Sequence, residues 1–222
     1  MSDAKKQVAG VVLLPPIAGL SDYTSRRARM LRGWGFEVEF VDYYSGGDPP
    51  DLSSPERIMS ATRSLVAIQV MVQTARAADA LRARGVSSVG VVGFCIGGTY
   101  AMLAGCQLTG VDAVVNFYGT VRHTEPAPST QLSPLELAAQ LSAPLLSHYG
   151  DADRFVPRSD VDALEGELDR HGKTHELFRY SGAPHAFDED FRAPFRPNAS
   201  REAWLRTRAH LSWYLMKEQH DE

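Results

Sequence analysis

The sequence predicts an α/β fold, a mainly parallel central sheet with helices on both faces in three layers. Three observations carry this. Short apolar runs alternate with longer amphipathic stretches along the whole chain. The 222 residues are 44% hydrophobic and 23% charged, an ordinary globular balance. No repeat or linker-like stretch divides the chain, so residues 1–222 are expected to form one domain.

The elements follow in order. Val8 to Leu14 is an apolar run broken by Gly10 and closed by Pro15-Pro16, and it reads as a buried strand. Residues 22–33 read as a helix, capped by Ser21 or Asp22 and stopped by Gly33. Phe36 to Tyr43 alternates as a strand does, and residues 44–54 form a loop. Pro55 suits a first helical position and opens one long helical stretch to about Arg84. Val89 to Phe94 is a strand, Gly97 to Gly105 a small-residue helix, and Val111 to Tyr118 a strand. Residues 119–143, with Pro126, Pro128 and Pro134, read as mostly irregular. Leu145 to Tyr149 is a strand, 158–171 a helix, Thr174 to Tyr180 a strand, 181–199 a loop and 201–219 a final helix.

Charge and cysteine content narrow the function. Lys and Arg number 23 against 27 Asp and Glu, a net charge of −4. The basic runs Arg26, Arg27, Arg29, Arg32 and Arg201, Arg206, Arg208 read as solvated helix faces, so no nucleic-acid partner is expected. The N-terminal Met1 to Lys6 is polar, and the apolar run after it is too short for a signal core or a membrane span. Two cysteines, Cys95 and Cys106, exclude a disulfide scaffold and suggest a reducing, cytoplasmic compartment.

Ligands of open parallel sheets sit outside the carboxyl ends of the strands. The sharpest signal lies there: Gly93-Phe94-Cys95-Ile96-Gly97-Gly98 fits a nucleophile elbow with Cys in place of Ser. Such a turn lifts the side chain above the sheet and sets it at a helix N-terminus, which favours a thiolate. Cys106, at the far end of the same helix, reads as packing. An acid and a base should follow in that order, each just past a strand, and Asp153 and His185 do so. Asp151, in the same turn, is the rival acid. The oxyanion donors are expected to be the backbone N–H groups of Ile96 and Ile17, because Pro15 and Pro16 have none. Tyr118 and Tyr43 or Tyr44 are candidates to line the pocket. His148 reads as locally bonded, and His123, His171, His175, His210 and His220 as loop or polar-face residues. No metal-ligand spacing or phosphate-binding glycine run is present, so neither metal nor cofactor is expected.

These motifs, with Asp153-Arg154-Phe155-Val156-Pro157 and His185-Ala186-Phe187, resemble the dienelactone hydrolase family over about residues 8–217. Weaker support comes from Ile17-Ala18-Gly19 and Val41-Asp42-Tyr43-Tyr44. The resemblance implies the α/β-hydrolase fold and a cofactor-free Cys95-His185-Asp153 triad acting on a small ester, lactone or thioester. An acyltransferase or cyclase with the same triad, and a non-catalytic thiol-sensing relative, are the competing expectations. A monomer or homodimer without nucleic-acid or membrane partners is expected. Two positions depart from the family pattern. Pro16 stands where the archetype has a Glu that keeps the thiol protonated, which leaves Cys95 free to form a standing ion pair and more open to alkylation and oxidation. Glu189, within Asp188-Glu189-Asp190, stands where the archetype has a carboxylate-gripping Arg, and a second such Arg is matched weakly by Arg57. An acidic trio beside the site would repel anionic substrates, so a neutral or differently anchored substrate is expected.

Overall fold

The computed structural model describes residues 8–122 and 132–216. The N-terminal polar segment, His123, Pro126, Pro128, His220 and the end of the expected 201–219 helix lie outside these residues.

Six strands form one sheet: β1 (Ala9–Leu14), β2 (Glu37–Phe40), β3 (Ser88–Phe94), β4 (Ala113–Phe117), β5 (Leu145–Gly150) and β6 (His175–Tyr180). Their order is β2-β1-β3-β4-β5-β6, and every neighbouring pair is parallel. The helices are α1 (Asp22–Gly33), α2 (Pro55–Ser64), α3 (Ala67–Ala83), α4 (Ile96–Gln107), α5 (Arg158–Arg170) and α6 (Pro197–Leu215). The period of two along β1 divides the core. Val12 and Leu14 pack with Met71, Leu81, Met102, Leu103, Leu164 and Leu168 of α3, α4 and α5. Val11 and Leu13 pack on the other face with Leu31, Trp204, Leu211 and Leu215 of α1 and α6. This is the three-layer α/β-hydrolase architecture. No helix among the described residues is long and apolar enough to cross a membrane.

The largest differences from the sequence reading lie at α2–α3, β2 and α6. The stretch 55–84 is two helices, not one. Leu65 and Val66 adopt extended backbone between them, which drops Leu65 into the core. The Thr62 and Ser64 hydroxyls donate to the carbonyls of Ile58 and Ala61, competing with helix propagation at that end. β2 stops at Phe40 because the Asp42 carboxylate accepts from the N–H groups of Tyr44 (3.0 Å) and Gly46 (2.7 Å), turning the chain away from the sheet edge. α6 begins at Pro197, four residues earlier than expected, with proline in the first turn where its missing N–H is harmless.

Candidate active site

The β3–α4 turn holds Cys95 in a conformation that a side-chain-bearing residue adopts only under constraint, with φ 54° and ψ −124°. The constraint is visible on both sides of the residue. The Cys95 N–H donates to the Phe117 carbonyl at 3.0 Å, and its own carbonyl accepts from Gly98 at 2.9 Å. Gly97 lies directly against the Leu14 and Pro15 carbonyls, and an added Cβ would collide with both. The close approach packs α4 onto the end of β1 and sets the Cys95 side chain at the first, unpaired turn of the helix.

Asp153 and His185 arrive on two loops stitched together above β5 and β6. Ala152 N–H donates to the Ala183 carbonyl (3.1 Å), Asp151 N–H to the Tyr180 carbonyl (3.1 Å), and Gly182 N–H to the Asp151 carboxylate (2.6 Å). Gly150 has no room for a Cβ, because the Ala183 carbonyl occupies that place. The result is a continuous relay. His185 Nε2 lies 3.3 Å from Cys95 Sγ, and its Nδ1 lies 2.8 Å from Asp153 Oδ2. The other Asp153 oxygen accepts from Phe155 N–H (2.8 Å) and Val156 N–H (3.2 Å), so the carboxylate is fully buried and cannot swing. The two aspartates have different partners: Asp153 bonds the imidazole, and Asp151 accepts from Gly182 in the loop that carries it.

Burial opposes a charge on the His185 ring. Negative charge on Cys95 and the Asp153 hydrogen bond outweigh it and push the His185 pKa from 6.5 to about 10. A raised folded-state pKa means that the charged ring stabilises the fold fully below pH 6.5, and that this contribution fades as pH rises toward about 10. Urea unfolding of wild type and His185→Gln is expected to show a stability gap that narrows steadily from neutral pH to pH 10. A gap that widens over that range would contradict the assignment.

The remaining expected site residues fall into three groups. Ile17 lies in the loop after β1 and Ile96 is the first residue of α4, directly after Cys95, and neither N–H has a backbone acceptor among the described residues. Tyr43 and Tyr44 point their hydroxyls into the Pro15–Gly19 loop, donating to Pro15 O (3.0 Å) and Ile17 O (2.6 Å). Tyr118 and Arg57 do not stand at an open pocket. Tyr118 is entirely buried, its ring edge-on to His185 (centroids 5.1 Å apart) and to Phe187. Its ring packs against the imidazole, and its buried hydroxyl has no hydrogen-bond partner among the described residues. Arg57 is mostly exposed on α2 and paired with Asp51, with no contact to the triad among the described residues.

The acidic trio also needs correction. Asp188 is buried and accepts from Tyr23 Oη (2.6 Å), Arg27 Nε (3.0 Å), Ser200 Oγ (2.5 Å) and Trp204 Nε1 (2.8 Å). Glu189 is buried against Arg192 Nη1 at 3.0 Å, and Asp190 pairs with Arg26. Each carboxylate thus has its own guanidinium, and the segment does not present three free negative charges. His148 is likewise internal, between Thr207 Oγ1 and Tyr180 Oη, each at 3.0 Å. His210, expected on a polar face, is buried instead, and burial lowers its pKa to about 4.

Residues 1–215 match the model of the dienelactone hydrolase family. The chain belongs to this family. It is 34% identical over 212 residues to a Bradyrhizobium sp. protein described as "Probable 2-oxo-3-(5-oxofuran-2-ylidene)propanoate lactonase", covering 94% of this chain and 85% of that one. It is 29% identical over 174 residues to a candidate carboxymethylenebutenolidase of Synechocystis sp., covering 78% and 70%. The solved structure of a candidate dienelactone hydrolase from Klebsiella pneumoniae superposes with a TM-score of 0.88 at 24% identity, covering 96% and 90%, and shares the fold. The protein is a carboxylic-ester hydrolase of dienelactone hydrolase type.

In this dienelactone hydrolase family member a further aromatic residue stands at the triad, within the motif Asp153-Arg154-Phe155-Val156-Pro157. Phe155, two residues beyond Asp153, is 69% exposed and stands edge-on to His185 with centroids 5.1 Å apart. A large exposed aromatic ring beside a partly buried imidazole is a ready contact surface for an apolar ligand. Its signal in the sequence was only its place next to the acid.

Proposed function

We propose that the protein hydrolyses a small carboxylic ester or lactone through an acyl-enzyme on Cys95. The observation that carries this reading is the relay Asp153–His185–Cys95, at 2.8 and 3.3 Å. The Cys95 thiolate attacks the carbonyl carbon, and the oxyanion is held by the Ile17 and Ile96 N–H groups. As the C–O bond breaks, the imidazolium of His185 gives its proton to the departing alkoxide, which in a lactone stays tethered to the acyl group. Water then attacks the thioester while His185 takes its proton, and Cys95 leaves as thiolate. Asp153 holds the ring in the tautomer that places Nε2 toward sulfur. The two cysteines, Cys95 and Cys106, are both free thiols, which supports a reducing, cytoplasmic setting.

The substrate is read from the surroundings of the sulfur. Phe155 supports a flat, unsaturated ring beside His185. The arginine pairing of Asp188, Glu189 and Asp190 removes the reason to exclude anions, and the Bradyrhizobium relative is named for a lactone bearing a propanoate. Small unsaturated lactones, with or without a carboxylate, are therefore the proposed class. A panel of neutral and anionic lactones and activated esters tests this. Turnover of lactones is the expected result, and no turnover of any panel member with no adduct on Cys95 would refute it. Phe155→Ala is expected to raise KM for such a lactone about tenfold, as loss of roughly 1.4 kcal/mol of apolar contact would. An unchanged KM would remove Phe155 from the binding surface.

A further inference from the structure

The loop that carries Ile17 has an unusual construction problem. Pro15 and Pro16 supply no N–H groups, so this stretch cannot be fixed by donating to a neighbouring strand. Its carbonyls are fixed instead. Three successive ones are each engaged: Pro15 O by the Tyr43 hydroxyl at 3.0 Å, Pro16 O by the Gly19 N–H at 2.8 Å, and Ile17 O by the Tyr44 hydroxyl at 2.6 Å. The Ile17 N–H belongs to the middle peptide of the three. Its own carbonyl closes a turn, and the peptides before and after it are each held by a phenol.

The phenols are themselves anchored. Both follow β2, 28 and 27 residues along the chain from their acceptors. The Asp42 carboxylate fixes their backbone through Tyr44 N–H. The Tyr43 ring stands against Tyr100 of α4, the elbow helix, with centroids 6.2 Å apart, and against Tyr44 at the same distance. The Tyr44 ring fills the place where Gly19, at φ 75°, would carry a Cβ. Burial raises both phenol pKa values, Tyr44 to about 12, so both hydroxyls stay protonated donors throughout the neutral range.

We propose that Tyr43 and Tyr44 are positioning residues for acyl transfer: their hydroxyls clamp the peptides on either side of the Ile17 amide and aim its N–H at the oxyanion. The proposal rests on the reading of Ile17 as an oxyanion donor. An amide aimed in advance stabilises developing charge without reorganising, and an amide free to rock does not. The tyrosines thus act on the transition state without touching substrate, in contrast to pocket-lining residues, which act on binding.

The test compares wild type, Tyr43→Phe, Tyr44→Phe, the double variant and Ile17→Pro. Proline is favoured at the second position of a turn, so Ile17→Pro deletes the donor while retaining the turn. Each protein is assayed for kcat and KM on an activated ester and for the rate of Cys95 alkylation by iodoacetamide, a reaction that builds no oxyanion. Each Phe variant is expected to lose about 3–10-fold in kcat and the double about 10²-fold, approaching removal of a donor outright. KM and the alkylation rate should stay within about twofold, a split that general misfolding would not produce. If Ile17→Pro acylates as fast as wild type, the oxyanion reading falls and the clamp with it. If Ile17→Pro is slow while both Phe variants match wild type, the clamp alone falls. A rise in KM at constant kcat, or parallel losses in kcat and alkylation, would likewise overturn the positioning role.

Discussion

Cys95→Ala is expected to lose lactone and ester turnover by about 10³-fold or more, the scale on which removal of a covalent nucleophile acts. The size follows from the geometry. His185 Nε2 has one partner in the relay, Cys95 Sγ, and no hydroxyl among the described residues stands within hydrogen-bond reach to replace it. The oxyanion donors remain in the variant, so the residual rate is that of water attacking a polarised carbonyl. The fold should be kept, because the strained φ is imposed by the turn and alanine fits there, but the variant gives up the stability that Cys95 lends to the charged His185 ring. Alkylation reports the same residue independently. Wild type should take up one equivalent of iodoacetamide rapidly and the variant should not. Cys106 is no substitute, since burial pushes its pKa up to about 12 and keeps it a thiol. Turnover that survives in Cys95→Ala would place the chemistry elsewhere.

Gly97→Ala is expected to destabilise the fold by about 3 kcal/mol or more, at the top of the range for overpacking. The added methyl would enter the space held by the Leu14 and Pro15 carbonyls. These are backbone atoms at the end of β1, so no rotamer change relieves the contact. Either α4 lifts from the sheet or β1 shifts, and both movements carry the nucleophile away from His185. Gly166→Ala serves as the control. Gly166 lies in α5 with nothing near its absent side chain, so the same substitution should stabilise by about 0.5–1 kcal/mol through helix propensity. Urea midpoints of the two variants should therefore move in opposite directions. A Gly97→Ala midpoint equal to wild type would mean that the close approach of elbow and β1 is not required.

The parts of the fold that sequence reading captured are those written in local pattern. Apolar runs such as Val89 to Phe94 must be buried on both faces, and glycines spaced about Cys95 admit one kind of turn. The positions of Cys95, Asp153 and His185 just past β3, β5 and β6 were equally readable, because each residue had to lie at a carboxyl end. What pattern did not show was long-range pairing. Asp151 shares the turn of Asp153 and was its rival in sequence, and the partners that distinguish them appear only in the loop stitching above β5 and β6. The acidic run 188–190 appears as free charge until Arg26, Arg27 and Arg192 are seen to be matched to it. Tyr43 and Tyr44 read as aromatic pocket walls, since nothing in their own segment reveals that their hydroxyls reach the loop after β1. The break at Leu65 and Val66 was invisible for a similar reason: the helical period continues through it, and the burial of Leu65 and the Thr62 and Ser64 hydroxyls decide against it together.

The central claim is that carbonyl carbon becomes bonded to Cys95 sulfur. The most direct measurement is the intact mass of wild type quenched in acid within milliseconds of mixing with an activated ester, followed by peptide mapping. The account predicts a transient gain equal to one acyl group, located on the peptide containing Cys95, decaying at the rate of turnover and absent from Cys95→Ala. Full turnover with no acyl adduct at any time, or an adduct on another residue, would contradict it.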